Sequence, residues 1–241
     1  MTTQATRLLR REQVAAATFE FHLERPGNFE FKPGQAIDLV LPEAQGLTAD
    51  TRRHAFSLVS APFDDVLTIA TRMRGSAFKQ VLRAQTAGSP LEIDGPFGSL
   101  TLHARASRPA LLIAGGIGIT PFISMLRQAE RNGWPQRLAL IYSNRNPAEA
   151  SFLDELRRLE HQTRNLRLVA TMTRANGISP GWDGPIGRID DELLRKVSAE
   201  LDGEPICYIA GPPSFVQGMR QATNAAGIDD DDLRSEDFFG Y

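Results

Sequence analysis

Three stretches of the chain combine residue types that do chemistry. The first is Arg53-His54-Ala55-Phe56-Ser57-Leu58-Val59-Ser60, which joins a cation, an aromatic ring and hydroxyls. On an extended strand it offers a flat apolar surface and a hydrogen-bond donor to a planar heterocycle, with arginine available for phosphate. The same residues also make an ordinary half-buried strand. The second is Arg72-Met73-Arg74-Gly75-Ser76-Ala77, where a strand end meets a helix start beside two arginines. Charge, hydroxyl and free backbone donors converge there on an anion site. The third is Leu111–Pro121, LLIAGGIGITP. An apolar run ends in Gly115, Gly116 and Gly118, which allow a sharp turn and close approach to a ligand. Pro121 suits the first turn of the next helix, whose free N–H groups favour a dinucleotide pyrophosphate. Proline stands where the common dinucleotide fingerprint has its last glycine, so this is not the ordinary dehydrogenase motif.

The composition narrows the classes. The chain has 241 residues, 41% hydrophobic and 23% charged, with a net charge of -2. No general attraction to nucleic acid or anionic membrane follows from that charge. No apolar run approaches membrane-spanning length, and the first residues lack an apolar signal core, so a cytoplasmic location is expected. One cysteine, Cys207, excludes an intrachain disulfide and a four-cysteine iron–sulfur cluster. His22, His54, His103 and His161 show no metal-ligand spacing, and no metal is expected.

The elements that would position these stretches fall into two sets. Residues 1–107 give short strands over Ala17–Leu23, Ala36–Leu41, Ala55–Ser60, Val66–Arg72 and Leu91–Asp94, with a helix over Ser76–Arg83 and turns at Pro26-Gly27, Pro33-Gly34 and Gly95-Pro96-Phe97-Gly98. Short strands with few helices predict an antiparallel barrel or sandwich. From residue 108 to 241 strands alternate with helices: strands over Ala110–Ala114, Leu138–Ser143, Leu166–Thr171 and Ile206–Ala210, helices over Phe122–Arg131, Ala148–Leu159, Asp190–Ala199 and Ser214–Ala225. That rhythm predicts a doubly wound α/β unit with its ligand beyond the carboxyl ends of the strands. Gly115–Thr120, Ser143–Arg145, Thr171–Arg174 and Ala210–Pro213, which includes Gly211 and Pro212, all fall at those ends. Arg145 and Arg174 there suit a 2′-phosphate, and Glu149 a free ribose hydroxyl, so the choice between NADH and NADPH stays open.

A barrel with two anion sites followed by an α/β unit with GGIGITP resembles the ferredoxin–NADP reductase superfamily over nearly the whole chain. Arg53-to-Ser60 resembles its flavin strand, Gly75-Ser76-Ala77 its flavin-pyrophosphate helix start, GGIGITP its nicotinamide-nucleotide loop, and Tyr208-Ile-Ala-Gly-Pro-Pro its last strand and loop. The resemblance implies an FAD-binding barrel (1–107), an NAD(P)-binding domain (108–241), and electron transfer from NAD(P)H through FAD. It implies that Phe56 packs on the flavin ring and that Ser57 hydrogen-bonds near its N5. By the same likeness Arg53, Arg72, Gly75, Ser76 and Ala77 hold its phosphates. Gly116, Gly118, Thr120, Arg145, Arg174, Gly211 and Pro212 then line the nicotinamide-nucleotide site. The family places arginine two residues before the aromatic, where this chain has His54, and often cysteine where it has Ala210. The tail, Ser235–Tyr241, either docks as a hydrophobic end or covers the flavin with Phe238, Phe239 or Tyr241, with Glu236 nearby. An electron-acceptor protein (ferredoxin, flavodoxin, haem protein or oxygenase component) is the expected partner. A non-catalytic electron-transfer subunit and a flavin-less nucleotide sensor fit the same residues.

Overall fold

The computed structural model describes residues 3–43, 46–174 and 182–239. The first lobe runs β1 (Gln4–Ala15), β2 (Thr18–Glu24), β3 (Ala36–Val40), β4 (Arg53–Ser57), β5 (Val66–Arg72), α1 (Ala77–Ala84) and β6 (Pro90–Phe97). Its strands lie in the order β4-β3-β6-β1-β2-β5, with every pairing antiparallel. The edges meet: Leu58 bridges Ile69, and Val59 N–H donates to Thr68 O at 2.8 Å, which rolls the sheet into a barrel. Closure removes both free edges. Phe21, Leu23, Ile37, Leu39, Leu67, Ile69 and Ile93 fill the interior, and α1 plugs it with Phe78 and Leu82. Ser76 caps α1, its Oγ accepting Lys79 N–H at 3.3 Å.

The second lobe runs β7 (Ala110–Gly115), α2 (Thr120–Asn132), β8 (Leu138–Asn144), α3 (Leu153–Gln162), β9 (Leu166–Met172), α4 (Asp191–Ala199), β10 (Ile206–Gly211), α5 (Pro213–Ala225) and β11 (Leu233–Asp237). All strands are parallel, in the order β11-β10-β7-β8-β9. The central strands are buried from end to end because helices cover both faces. Leu112 and Ala114 of β7 face the cluster that includes Phe122, Leu126 and Leu156. Leu111 and Ile113 face Leu194, Val197 and Val216.

Three elements differ from the sequence expectation. β1 carries too many charges in its second half (Arg10, Arg11, Glu12) to read as a strand, yet pairing with β2 and β6 holds it extended. The helix expected over Ala148–Leu159 is broken: Asn146-Pro147 begin a short 3₁₀ turn, Phe152 sits at φ 63°, and α3 starts only at Leu153. The tail adds a fifth parallel strand, β11, although Leu233–Asp237 is mostly polar.

The lobes meet on α2. Thr120–Leu126 is buried, as Pro121 starts a helix that packs under β7 on one side and against the barrel on the other. Val59, Ala70 and Leu100 of the barrel belong to the same apolar cluster as Ile117, Phe122 and Met125. Ser124 Oγ–H donates to Ser60 O at 2.6 Å, and Arg127 Nη1 donates to Val59 O at 3.1 Å while gripping Glu155 through two bonds of 2.7 and 3.0 Å. Gly118 in the turn before α2 has its own constraint: a Cβ there would stand 2.1 Å from Ala210 O and 2.7 Å from Gly211 Cα. The close approach is thus to the backbone of β10. We expect Gly118→Ala to lower stability by at least about 2 kcal/mol in urea unfolding, because backbone must move to admit the methyl. A change below about 0.5 kcal/mol would show that the two loops are not in contact.

Candidate functional site

Strand β4 alternates. His54 and Phe56 point to one face, with rings stacked at 4.9 Å and 23°, and His54 also leans on Phe78 at 5.4 Å. Arg53 lies on the other face, where Nη1 pairs with Asp94 at 2.8 Å and Asp38 at 3.0 Å. Those two carboxylates sit opposite one another on β6 and β3. The guanidinium therefore knits three strands of the sheet. The position the family fills with arginine carries His54, whose pKa is lowered by burial and by the charge of Lys79, leaving a neutral ring.

The tail closes over β4. Glu236 and Asp237 register with Ala210 and Gly211 of β10, and Phe238 N–H donates to Gly211 O at 2.8 Å. Between tail and strand lies a cavity of ≈ 120 Å³ walled by Ala36, His54–Ser57 and Glu236–Phe239. Phe238 is buried and Phe239 largely exposed. Tyr241 lies outside the described residues. Burial raises the Glu236 pKa. Aromatic walls, a hydroxyl and a carboxyl suit one edge of a planar heterocycle with polar ring atoms. The cavity is too small to hold a dinucleotide, whose remainder would run over the surface.

At the end of β5, Arg72 pairs with Glu149 from the second lobe. Burial alone would raise the Glu149 pKa, but Arg72 and then Arg145, at 3.9 Å, hold it below its ordinary value. Glu149 thus stays ionised, with its charge offset by two guanidinium groups. Gly75 has open space beside it among the described residues, and Arg74, Gly75, Ser76 and Ala77 are all exposed at the start of α1, where helix N–H groups are free of intrahelical partners. Lys79, which sequence reasoning missed, is 1% exposed and donates from Nζ to Arg72 O at 2.9 Å. Burial, then the charge of Arg74, pushes its pKa down to about 8. A lysine on a short amphipathic helix looks like surface charge in sequence, and only the barrel mouth buries it.

Across the cleft, Gly116 takes φ 54° with open space beside it, as a glycine facing a ligand would. Gly118 and Thr120 turn inward: Gly118 meets β10, and Thr120 Oγ1–H donates to Ile117 O at 3.1 Å. Gly211 and Pro212 follow β10 directly. Arg145 and Arg174 stand side by side at the ends of β8 and β9, joined by Arg174 N–H to Arg145 O at 3.0 Å. Cys207 is buried in β10, and burial pushes its thiol pKa up, which suits a packed thiol.

The shift of Lys79 sets a pH test. Its folded pKa lies below the unfolded value, so between about pH 8 and 10.5 the unfolded chain binds the extra proton and folding gains as pH rises. Relative to Lys79→Met, the ligand-free wild type should gain about 2 kcal/mol in unfolding free energy from pH 8 to pH 10. Parallel pH profiles for the two proteins would contradict the burial of this ammonium.

Comparison with known proteins adds an independent line. Residues 112–221 match the family model of the oxidoreductase NAD-binding domain. The chain is 31% identical over 202 residues to ferredoxin–NADP reductase B of Sorangium cellulosum, covering 80% of this chain and 79% of that one. It is 28% identical over 218 residues to the reductase component of propane 2-monooxygenase of Mycolicibacterium goodii, covering 88% of this chain and 60% of the relative. The chain thus spans about three-fifths of the length of the propane monooxygenase reductases it matches. A ferredoxin NADP+ reductase from Neisseria gonorrhoeae with bound FAD and NADP shares the fold at TM-score 0.81 and 24% identity, with 98% and 99% of the chains covered. With an antiparallel barrel, a parallel nucleotide-domain sheet and a relative 31% identical over about four-fifths of both chains, the chain belongs to the ferredoxin–NADP reductase superfamily.

Proposed function

We propose that this protein is an FAD-dependent NAD(P)H oxidoreductase that passes electrons from NAD(P)H to a separate acceptor. The observation that carries the reading is the cavity between the two lobes, walled by β4 of the first and by the tail of the second, which hangs by Phe238 N–H from Gly211 O, the residue that ends β10 beside the Gly115–Gly118 turn. One cleft is thereby bounded by the flavin-type strand and the nucleotide-type loops. Bound flavin would supply an acceptor of two electrons together and a donor of single electrons.

The residues divide the work. Phe56 and His54 form the flat floor, and the Ser57 hydroxyl and Glu236 carboxyl are the polar groups on the cavity wall. Phosphate binding falls to the start of α1, where Gly75, Ser76 and Ala77 offer N–H groups beside Arg74, since Arg53 and Arg72 are held by carboxylates. Lys79 adds charge behind that site. Gly116 lets the second nucleotide approach the backbone, and Arg145 and Arg174 supply two guanidinium groups for its ribose-phosphate end. Phe238 keeps water from the cavity, which strengthens the polar contacts inside it. Positioning is the main contribution of such a site, because hydride transfer needs no general acid–base pair. The acceptor we propose is an oxygenase component or another redox protein. The support is that relatives include reductase components of propane 2-monooxygenase and terephthalate 1,2-dioxygenase.

The test is the rate of flavin reduction by NAD(P)H in rapid mixing. Ser57→Ala should slow it about tenfold with flavin still bound, the worth of one hydrogen bond made in the transition state. An unchanged rate would remove Ser57 from the chemistry.

A further inference from the structure

The β1–β2 hairpin carries a side-chain cluster that shares no residue with the cofactor cavity. In its register Glu12 stands directly across from Glu20, and Arg10 across from His22. Like charges facing each other on neighbouring strands repel, and Glu20 is only 8% exposed, so water relieves little of that repulsion. His22 lies two residues along β2 on the same face and is 7% exposed. One ligand atom from each of Glu12, Glu20 and His22 lies within 4.8 Å of the others.

The imidazole is oriented toward this group. His22 Nδ1 is 3.1 Å from Thr68 Oγ1, which holds the ring, while Nε2 is buried with no hydrogen-bond partner among the described residues. Glu20 Oε2 is 3.5 Å from Nε2, too long for a good hydrogen bond. Buried polar atoms are seldom left without a partner. Of the arginines that line the clefts beside the cluster, Arg127 is engaged with Glu155 at 2.7 Å, and Arg10 with Glu12 at 2.5 Å, a pairing that a bound ion would replace. The cluster opens onto clefts of ≈ 720 and ≈ 480 Å³ between the barrel and α3, wide enough for a hydrated ion to enter.

We propose that Glu12, Glu20 and His22 bind a divalent transition cation of the Zn²⁺ type at this cleft. One imidazole nitrogen and two carboxylates are donors such an ion takes, and three protein ligands leave a coordination position open. Ligand atoms around tetrahedral zinc stand roughly 3.3 Å apart, a spacing the exposed Glu12 side chain can reach by a rotamer change. Nε2 would bind the metal while Nδ1–H donates to Thr68 Oγ1, the outer partner that metal-bound histidines usually have. The ion would relieve the facing carboxylates and satisfy the orphaned nitrogen together. The spacing of histidines along the chain does not reveal this site, because its ligands come together only through strand register.

The test is a Zn²⁺ titration of the full, metal-stripped chain, with whatever flavin it carries, against a colorimetric chelator, alongside the thermal midpoint with and without Zn²⁺. Wild type should bind one equivalent and melt at higher temperature with Zn²⁺. Losing an outer-shell partner alone weakens metal binding 10–100-fold, so His22→Asn and Glu20→Gln should each weaken it at least about tenfold. His161→Asn should bind as wild type does. If a buried substitution disturbs the far-UV circular dichroism, the exposed Glu12→Gln replaces it, with the same weakening expected. The proposal is overturned if wild type binds no Zn²⁺ below about 100 µM. It is equally overturned if the folded ligand variants bind as tightly as wild type, or if His161→Asn weakens binding as much as they do.

Discussion

The structure depends on α2 being enclosed from two sides. Its first two turns have no face left for water, since the parallel sheet covers one side and Val59, Ala70 and Leu100 of the barrel cover the other. A helix in that position cannot shift without opening apolar surface, at roughly 25 cal/mol for each Å² exposed. The two lobes therefore share one core across their seam and are not simply tethered. Polar contacts set the register of that apolar seam: Ser124 to the Ser60 carbonyl, Arg127 to the Val59 carbonyl, and Ala16 N–H to Ala148 O.

The site follows from that seam. Once α2 is seated, the Gly116–Ile119 turn lies against β10, and Gly118 lets it come so near that only hydrogen fits between them. β10 in turn carries β11 on its outer edge, and β11 delivers Glu236 and Phe238 to β4. Thus the nucleotide-type loops, the tail and the flavin-type strand are successive consequences of one packed helix. Arg72 and Glu149 add an ion pair across the same junction. Its partly exposed setting makes it a modest contributor to stability.

Much of this was legible along the chain. GGIGITP marked a strand, a turn and a helix start because glycine and proline have few other uses in that order, and the alternation of apolar strands with helices announced the parallel sheet. The helices expected from Ser76 and from Asp190 are both present, each capped by its first expected residue. What stayed hidden depends on partners distant in sequence. β1 and β11 are strands because neighbours pair with them, since their own residues are too polar to say so. The pairing of Arg53 with Asp38 and Asp94 brings three strands together and is invisible in residue order. Lys79 and the Glu12–Glu20–His22 group are likewise products of register and burial, which residue types do not encode.

The central claim is that the two lobes meet at one redox site, and the visible absorption of the purified protein under anaerobic conditions tests it most directly. The account predicts a yellow protein with one FAD per chain, taken up on purification or reconstitution, whose flavin bands bleach on adding NADH or NADPH. A protein that takes up no flavin, or one whose flavin stays oxidised with both nucleotides in excess, would contradict it.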